Sequence, residues 1–214
     1  MTDTLPALPA LLSAPAFVLW GAPASWAEVL GFGLALWMVR MNIRERHWGW
    51  PLAILSSALY FFVFWRSRLY ADATLQVFFA VVAFWGWTQW LAGRRADGRP
   101  LTVVRLGARG RWAALIACLL LWPVIGLVLA RYTDSDVPWW DAFPTATSLV
   151  AQFLLGRKYI DNWALWLVVN LVCVGLFAYK GLWLTVVLYA LFAALSIVGW
   201  RAWQRRMAPV VVPA

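Results

Sequence analysis

WAALIACLLLWPVIGLVLAR, residues 112–131, holds one charged side chain, the closing arginine. Twenty residues in a helix span about 30 Å, the thickness of a bilayer's hydrocarbon core. Three apolar segments precede this stretch, near 26–43, 48–65 and 70–92, and three follow it, near 142–156, 162–179 and 182–203. Pro144 stands in the expected first turn of the fifth segment, where proline is tolerated. Most connections are short, so consecutive helices are antiparallel neighbours. The middle stretch crosses once, so the triplets on either side of it run in the same direction.

Composition agrees. The 214 residues are 64% hydrophobic and 13% charged, with mean hydropathy +0.74. A soluble domain carries about 25% charged residues. The expectation is an all-α polytopic membrane protein with seven transmembrane helices. The net charge of +9 does not point to nucleic acid, because the basic residues lie between the apolar runs, where orientation signals sit. Fourteen of the eighteen Lys and Arg fall on one side: Arg40, Arg44, Arg46, the six arginines of 93–111, Arg157, Lys158, Arg201, Arg205 and Arg206. Arg66, Arg68, Arg131 and Lys180 fall on the other, with Asp134, Asp136 and Asp141. The positive-inside rule then sets the N-terminus outside and the C-terminus in the cytoplasm.

Segment 1–25 carries Pro6, Pro9, Pro15 and Pro23, lacks a basic signal-peptide start, and reads as interfacial or partly inserted, with an extra helix as the alternative. The remainder divides into a three-helix bundle (26–92), a basic cytoplasmic loop (93–111), a linker helix (112–131), a second bundle (139–203) and a cytoplasmic tail (204–214). Cys118 and Cys173 fall inside apolar runs and read as buried thiols. With one histidine, His47, and no cysteine cluster, neither a metal nor a cofactor is expected.

The two bundles match each other at a shift of 113 residues. Trp26 falls on Trp139, Arg44 on Arg157, Trp50 on Trp163 and Phe79 on Phe192. "GWTQW" (86–90) falls on "GWRAW" (199–203). Thirteen of 65 positions are identical without a gap. The reading is a 3+1+3 arrangement with a parallel, pseudo-twofold repeat about the membrane normal, as in small-molecule transporters.

Polar side chains at membrane depth face the bundle interior or a cavity. Trp163, Trp166 and Asn170 share one face of helix six at i, i+3, i+7. Helix five supplies Thr145, Ser148 and Gln152; helix three supplies Asp72 and Gln76; helix seven supplies Thr185, Tyr189 and Ser196. Helix two offers Ser56, Ser57 and Tyr60. Against a site stand plainer roles. Ser and Thr bond their own helix backbone. Asn and Gln join helices. Tryptophans at helix ends form an interface belt, the reading for Trp139, Trp140, Trp200 and Trp203. Asp72 also reads as a cap or as the partner of Arg68. Amides and hydroxyls would bond a ribose, and aromatic faces would stack on a flat ring, a cationic one especially. Without deep ionisable pairs, a proton relay is not expected.

"WGWPLAILSSALYFFVFWRSRLYADATLQVFFAVVAFWGWTQW" (48–90) resembles the Pnu-type vitamin transporters. So do "NWALW" (162–166) with Asn170, "YKGLW" (179–183) and "LYALFAALSIVGW" (188–200). The resemblance covers roughly 26–203. It implies the SWEET-like fold, a homotrimer in the inner membrane, and facilitated diffusion of nicotinamide riboside, trapped inside by a cytoplasmic riboside kinase. It carries ligand contacts to Trp163, Trp166 and Asn170, and to Gln76 and Gln152 less directly. Ser148, Tyr189 and Asp72 complete the candidate site from their polar character. Thiamine and riboflavin, carried by relatives, stay open as substrates. An enzyme is not expected, since neither G-x-S-x-G nor H-E-x-x-H occurs. A channel and a structural subunit are the other rivals; saturable uptake would separate a carrier from both.

Overall fold

The computed structural model describes residues 14–19, 21–66, 70–95, 98–133 and 135–207. Seven helices account for most of them: α1 Trp26–Ile43, α2 Gly49–Arg66, α3 Tyr70–Ala92, α4 Ala108–Tyr132, α5 Pro138–Gly156, α6 Asn162–Tyr179 and α7 Trp183–Arg206. Among the described residues α4, α6 and α7 are long and apolar enough to cross a membrane by themselves, and α1 and α2 hold shorter apolar stretches. The cysteines are buried and unbonded.

Helix positions follow the reading from sequence, with three corrections. The described part of the N-terminal segment is neither an inserted segment nor a helix. It is an antiparallel hairpin, β1 Pro15–Leu19 paired with β2 Ala22–Ser25, turning at Gly21 with φ +84°. Pro15 and Pro23 cannot donate to a helical ladder, and Phe17 and Val18 favour extended backbone. The earlier Pro6 and Pro9 lie outside the described residues. Second, α5 begins at Pro138, not near 142, and so holds Pro144 inside it. Pro138 at the first turn has its φ preset, and Asp141 in that turn suits the positive end of the helix dipole. Third, α4 starts at Ala108, so the basic loop ends at 107.

That loop is docked. Leu101 and Val103 are buried, Val104 forms a bridge with Tyr159, and Asp161 Oδ2 accepts from Leu106 N at 2.8 Å. Asp161 also pairs with Arg111 at 3.2 Å. Its expected role as a helix cap is therefore not the one it plays: it makes no capping bond to α6.

α1 packs on α2 and α7, α2 on α3, α3 on α5, α5 on α4 and α6, and α6 on α7. The α1–α7 and α3–α5 contacts join the triplets, and tryptophan chemistry holds them together at the basic end. The Trp50 ring lies against Gly86, and the Trp163 ring against Gly199. A Cβ on Gly199 would come within 2.6 Å of the Trp163 ring, so only glycine admits that approach. Trp50 meets Trp90 edge to face (5.6 Å, 81°), and Trp163 meets Trp203 the same way (5.5 Å, 88°). Trp90 and Trp203 meet each other at 6.3 Å.

The outer N–H groups of this chain are used twice. Trp90 Nε1 donates to Leu155 O at 3.1 Å, and Trp203 Nε1 to Asn42 O at 3.2 Å. Both acceptors stand among the last carbonyls of α5 and α1, which have no helical donor. Every one of these contacts has its counterpart 113 residues away, including the ion pair of Glu45 with Lys158 at 3.2 Å. Both of those residues hold positive φ, 54° and 55°. Trp203, expected in an interface belt, is therefore fully buried.

Candidate functional site

Two cavities of about 420 and 670 Å³ lie between the triplets and share part of their lining, including Met38, Ala53, Phe79, Gln152, Trp166 and Tyr189. Both volumes suit a small-molecule site. Ser148 and Phe192 also face both. The larger cavity runs from Asn42, Trp50 and Trp163 at the basic end to Asp141 and Phe177 at the other.

α6 delivers Trp166 and Asn170 because they are four residues apart and face inward together. Trp166 is half-buried and faces both cavities. Asn170 is buried and lines the larger one. Its Nδ2 donates to Ser196 Oγ at 3.2 Å, and that hydroxyl donates to Phe192 O at 2.8 Å. Ser196 thus satisfies its own backbone, and also holds the Asn170 amide in one orientation. Asn170 Oδ1 makes no bond to a described residue, and neither does the Gln152 amide. An amide has four hydrogen-bonding positions, so both retain capacity for a ligand. Tyr189 is held between Phe177 (5.0 Å) and Phe192 (5.7 Å).

The other expected members are placed differently. Trp163 is 3% exposed, with Gly199 and Trp203 against its ring, and forms the floor of the larger cavity rather than a free stacking face. Gln76 is half-buried on α3 and lines neither cavity; it sits one turn before Phe79, which lines both. The Asp72 side chain lies outside those described. Thr145 spends its hydroxyl on Asp141 O at 2.8 Å, the plainer of its two possible roles.

Sequence reasoning missed the α1 wall, Met38 and Asn42, and the paired Phe79 and Phe192. The repeat could have found the phenylalanines, since they are counterparts. Nothing in the apolar pattern marks Met38.

Among the described residues the lining holds one carboxylate, Asp141, at the rim. Lys180 Nζ lies 3.3 Å from each of its oxygens, and Ser135 Oγ donates to it at 2.5 Å. An already neutralised rim carboxylate supplies no proton path. The arrangement can surround a flat ring with aromatic and apolar side chains and bond its polar substituents to amides and hydroxyls.

A family model described as nicotinamide mononucleotide transporter matches residues 25–205. The chain is 31% identical over 199 residues to the riboflavin/roseoflavin transporter RibM of Streptomyces davaonensis, covering 91% of this chain and 92% of that one. It is 24% identical to the nicotinamide riboside transporter PnuC of Escherichia coli, covering 86% and 87%. The crystal structure of the vitamin B3 transporter PnuC superposes with a TM-score of 0.67 at 21% identity, over 84% of this chain and 81% of that one.

Proposed function

The chain belongs to the nicotinamide mononucleotide transporter family, and on that premise we propose that it takes up nicotinamide riboside by facilitated diffusion. It is a multi-pass vitamin transporter of the Pnu type; the particular substrate and mechanism are our reading. The observation that carries it is the convergence of Trp166 with the unspent amides of Gln152 and Asn170 on one cavity. Trp166 stacks on the pyridinium, where a cation gains from the ring's π face. Gln152, Asn170, Ser148 and Tyr189 bond the ribose hydroxyls and the carboxamide. Gln76 and Asp72 line the approach one turn further out. With no ionisable chain through the lining, the concentration gradient alone sets the direction, and phosphorylation by a cytoplasmic riboside kinase traps the product.

The repeat supports a 3+1+3 architecture in which α4 is the inverting linker. The paired tryptophans, caps and ion pair favour it, since each contact recurs 113 residues later. The basic end faces the cytoplasm of an inner-membrane protein, with the N-terminus outside, and three copies assemble. Transport is the rocking of one triplet against the other. Riboflavin is the second reading, favoured by the 31% identity to a riboflavin/roseoflavin transporter. Calorimetry on the purified protein with nicotinamide riboside, riboflavin and thiamine tests both. Saturable, ion-independent uptake of nicotinamide riboside by proteoliposomes is the expected result; binding of riboflavin alone would replace the first reading with the second.

A further inference from the structure

Three buried polar atoms at the basic end of the larger cavity have no partner: Trp50 Nε1, Trp163 Nε1 and Asn42 Oδ1. Their residues are 2%, 3% and 8% exposed. Leaving such a group unbonded costs about 1–3 kcal/mol, so each calls for an occupant. The neighbouring indoles behave otherwise. Trp90 and Trp203, from the same aromatic chain, each donate to a helix-end carbonyl. The unpaired pair are the two that line the cavity. The Trp50 ring presents its Cε3–Cζ3 edge to Gly86. Nε1 lies across the indole from that edge and so turns away from α3. Asn42 joins from the last turn of α1.

The geometry points to a hydroxyl-binding subsite at this floor, formed by Trp50 Nε1 and Asn42 Oδ1 of the first triplet with Trp163 Nε1 of the second. Two N–H donors beside one carbonyl acceptor match a group that accepts and donates at once, as a sugar or sugar-alcohol hydroxyl does. A carboxylate or phosphate would be refused by the Asn42 oxygen, and an ammonium by the two N–H groups. The subsite rests on the vitamin reading above and deepens it. The ring lies beside Trp166, and the polyol portion reaches down to the floor. It also gives the first triplet a part in binding that its apolar wall conceals.

Paired ligands test this: nicotinamide riboside against nicotinamide, and riboflavin against its ring system without the ribityl chain. Affinities are measured on purified Trp50→Phe and Asn42→Ala, with melting temperature as the control for folding. Each variant is expected to weaken the complete vitamin roughly tenfold and the bare ring less than twofold. Should Trp50→Phe fail to fold, Asn42→Ala and Asn42→Ser carry the same comparison. Equal loss for ring and vitamin, or no loss for either in a folded variant, would overturn the subsite while leaving the carrier reading intact. A wild-type protein that binds none of the vitamins would overturn both.

Discussion

The two triplets share their packing and differ in their lining. Trp50, Gly86 and Trp90 reproduce the contacts of Trp163, Gly199 and Trp203, nearly to the angle. Facing the cavity, the first triplet has Ala35, Val39, Ala53 and Ser57 where the second has Ser148, Gln152, Trp166 and Asn170. The difference is physical. A ring pressed on a glycine leaves no room for substitution on either side. A side chain on a cavity wall meets space, so it can diverge without disturbing the scaffold. One half has accumulated amides and an indole; the other has kept the small residues that leave room for a ligand.

Four measurements would break or sharpen that comparison. The largest effect belongs to the scaffold. Gly86→Ala and Gly199→Ala each force a methyl into a tryptophan ring, and overpacking of this kind costs about 1–3 kcal/mol. Comparable drops in thermal stability are expected from both. A drop from only one would mean that the halves are not packed alike.

Next comes the ring contact. Trp166→Ala should weaken vitamin binding by about 2 kcal/mol, close to thirtyfold, through lost stacking. Ala53→Leu should weaken it as well, for the opposite reason, by filling the space facing the ligand. Titration of both variants in a calorimeter measures this. Unchanged affinity in Ala53→Leu would remove the first triplet's wall from the binding region.

The amides follow. Asn170→Ala is expected to cost about 1 kcal/mol of binding, roughly fivefold, and Ser57→Ala at its counterpart position less than that. Equal losses would show that both halves bond the ligand in the same way. The smallest effect is the ion pair between the halves. A double-mutant cycle on Glu45→Gln and Lys158→Met should give a coupling of at most about 1 kcal/mol, since both side chains keep some contact with solvent.

Much of this was legible in sequence, and the reasons are specific. Apolar length alone located the helices. The start of α5 slipped by a turn because two prolines competed for its first position, and local pattern does not rank Pro138 against Pro144. The hairpin at 15–25 escaped because a short apolar run with prolines reads equally as an interfacial segment. Trp166 and Asn170 were found because helical spacing puts them on one face. Trp163 shares that face, yet its ring is occupied by Gly199 and Trp203. Spacing says which way a side chain points and nothing of what already fills the place it points to.

By itself, then, the sequence determined the membrane class, the seven helices, the repeat and the polar face of α6. All of these follow from hydrophobicity and periodicity, which act within one segment. Only the tertiary structure decided which tryptophans are scaffold and which reach the cavity, that Asp161 ties down a loop instead of starting a helix, and that the first triplet brings Asn42 and Trp50 to the floor. Those outcomes depend on contacts between residues tens of positions apart, and only the packed helices bring such residues together.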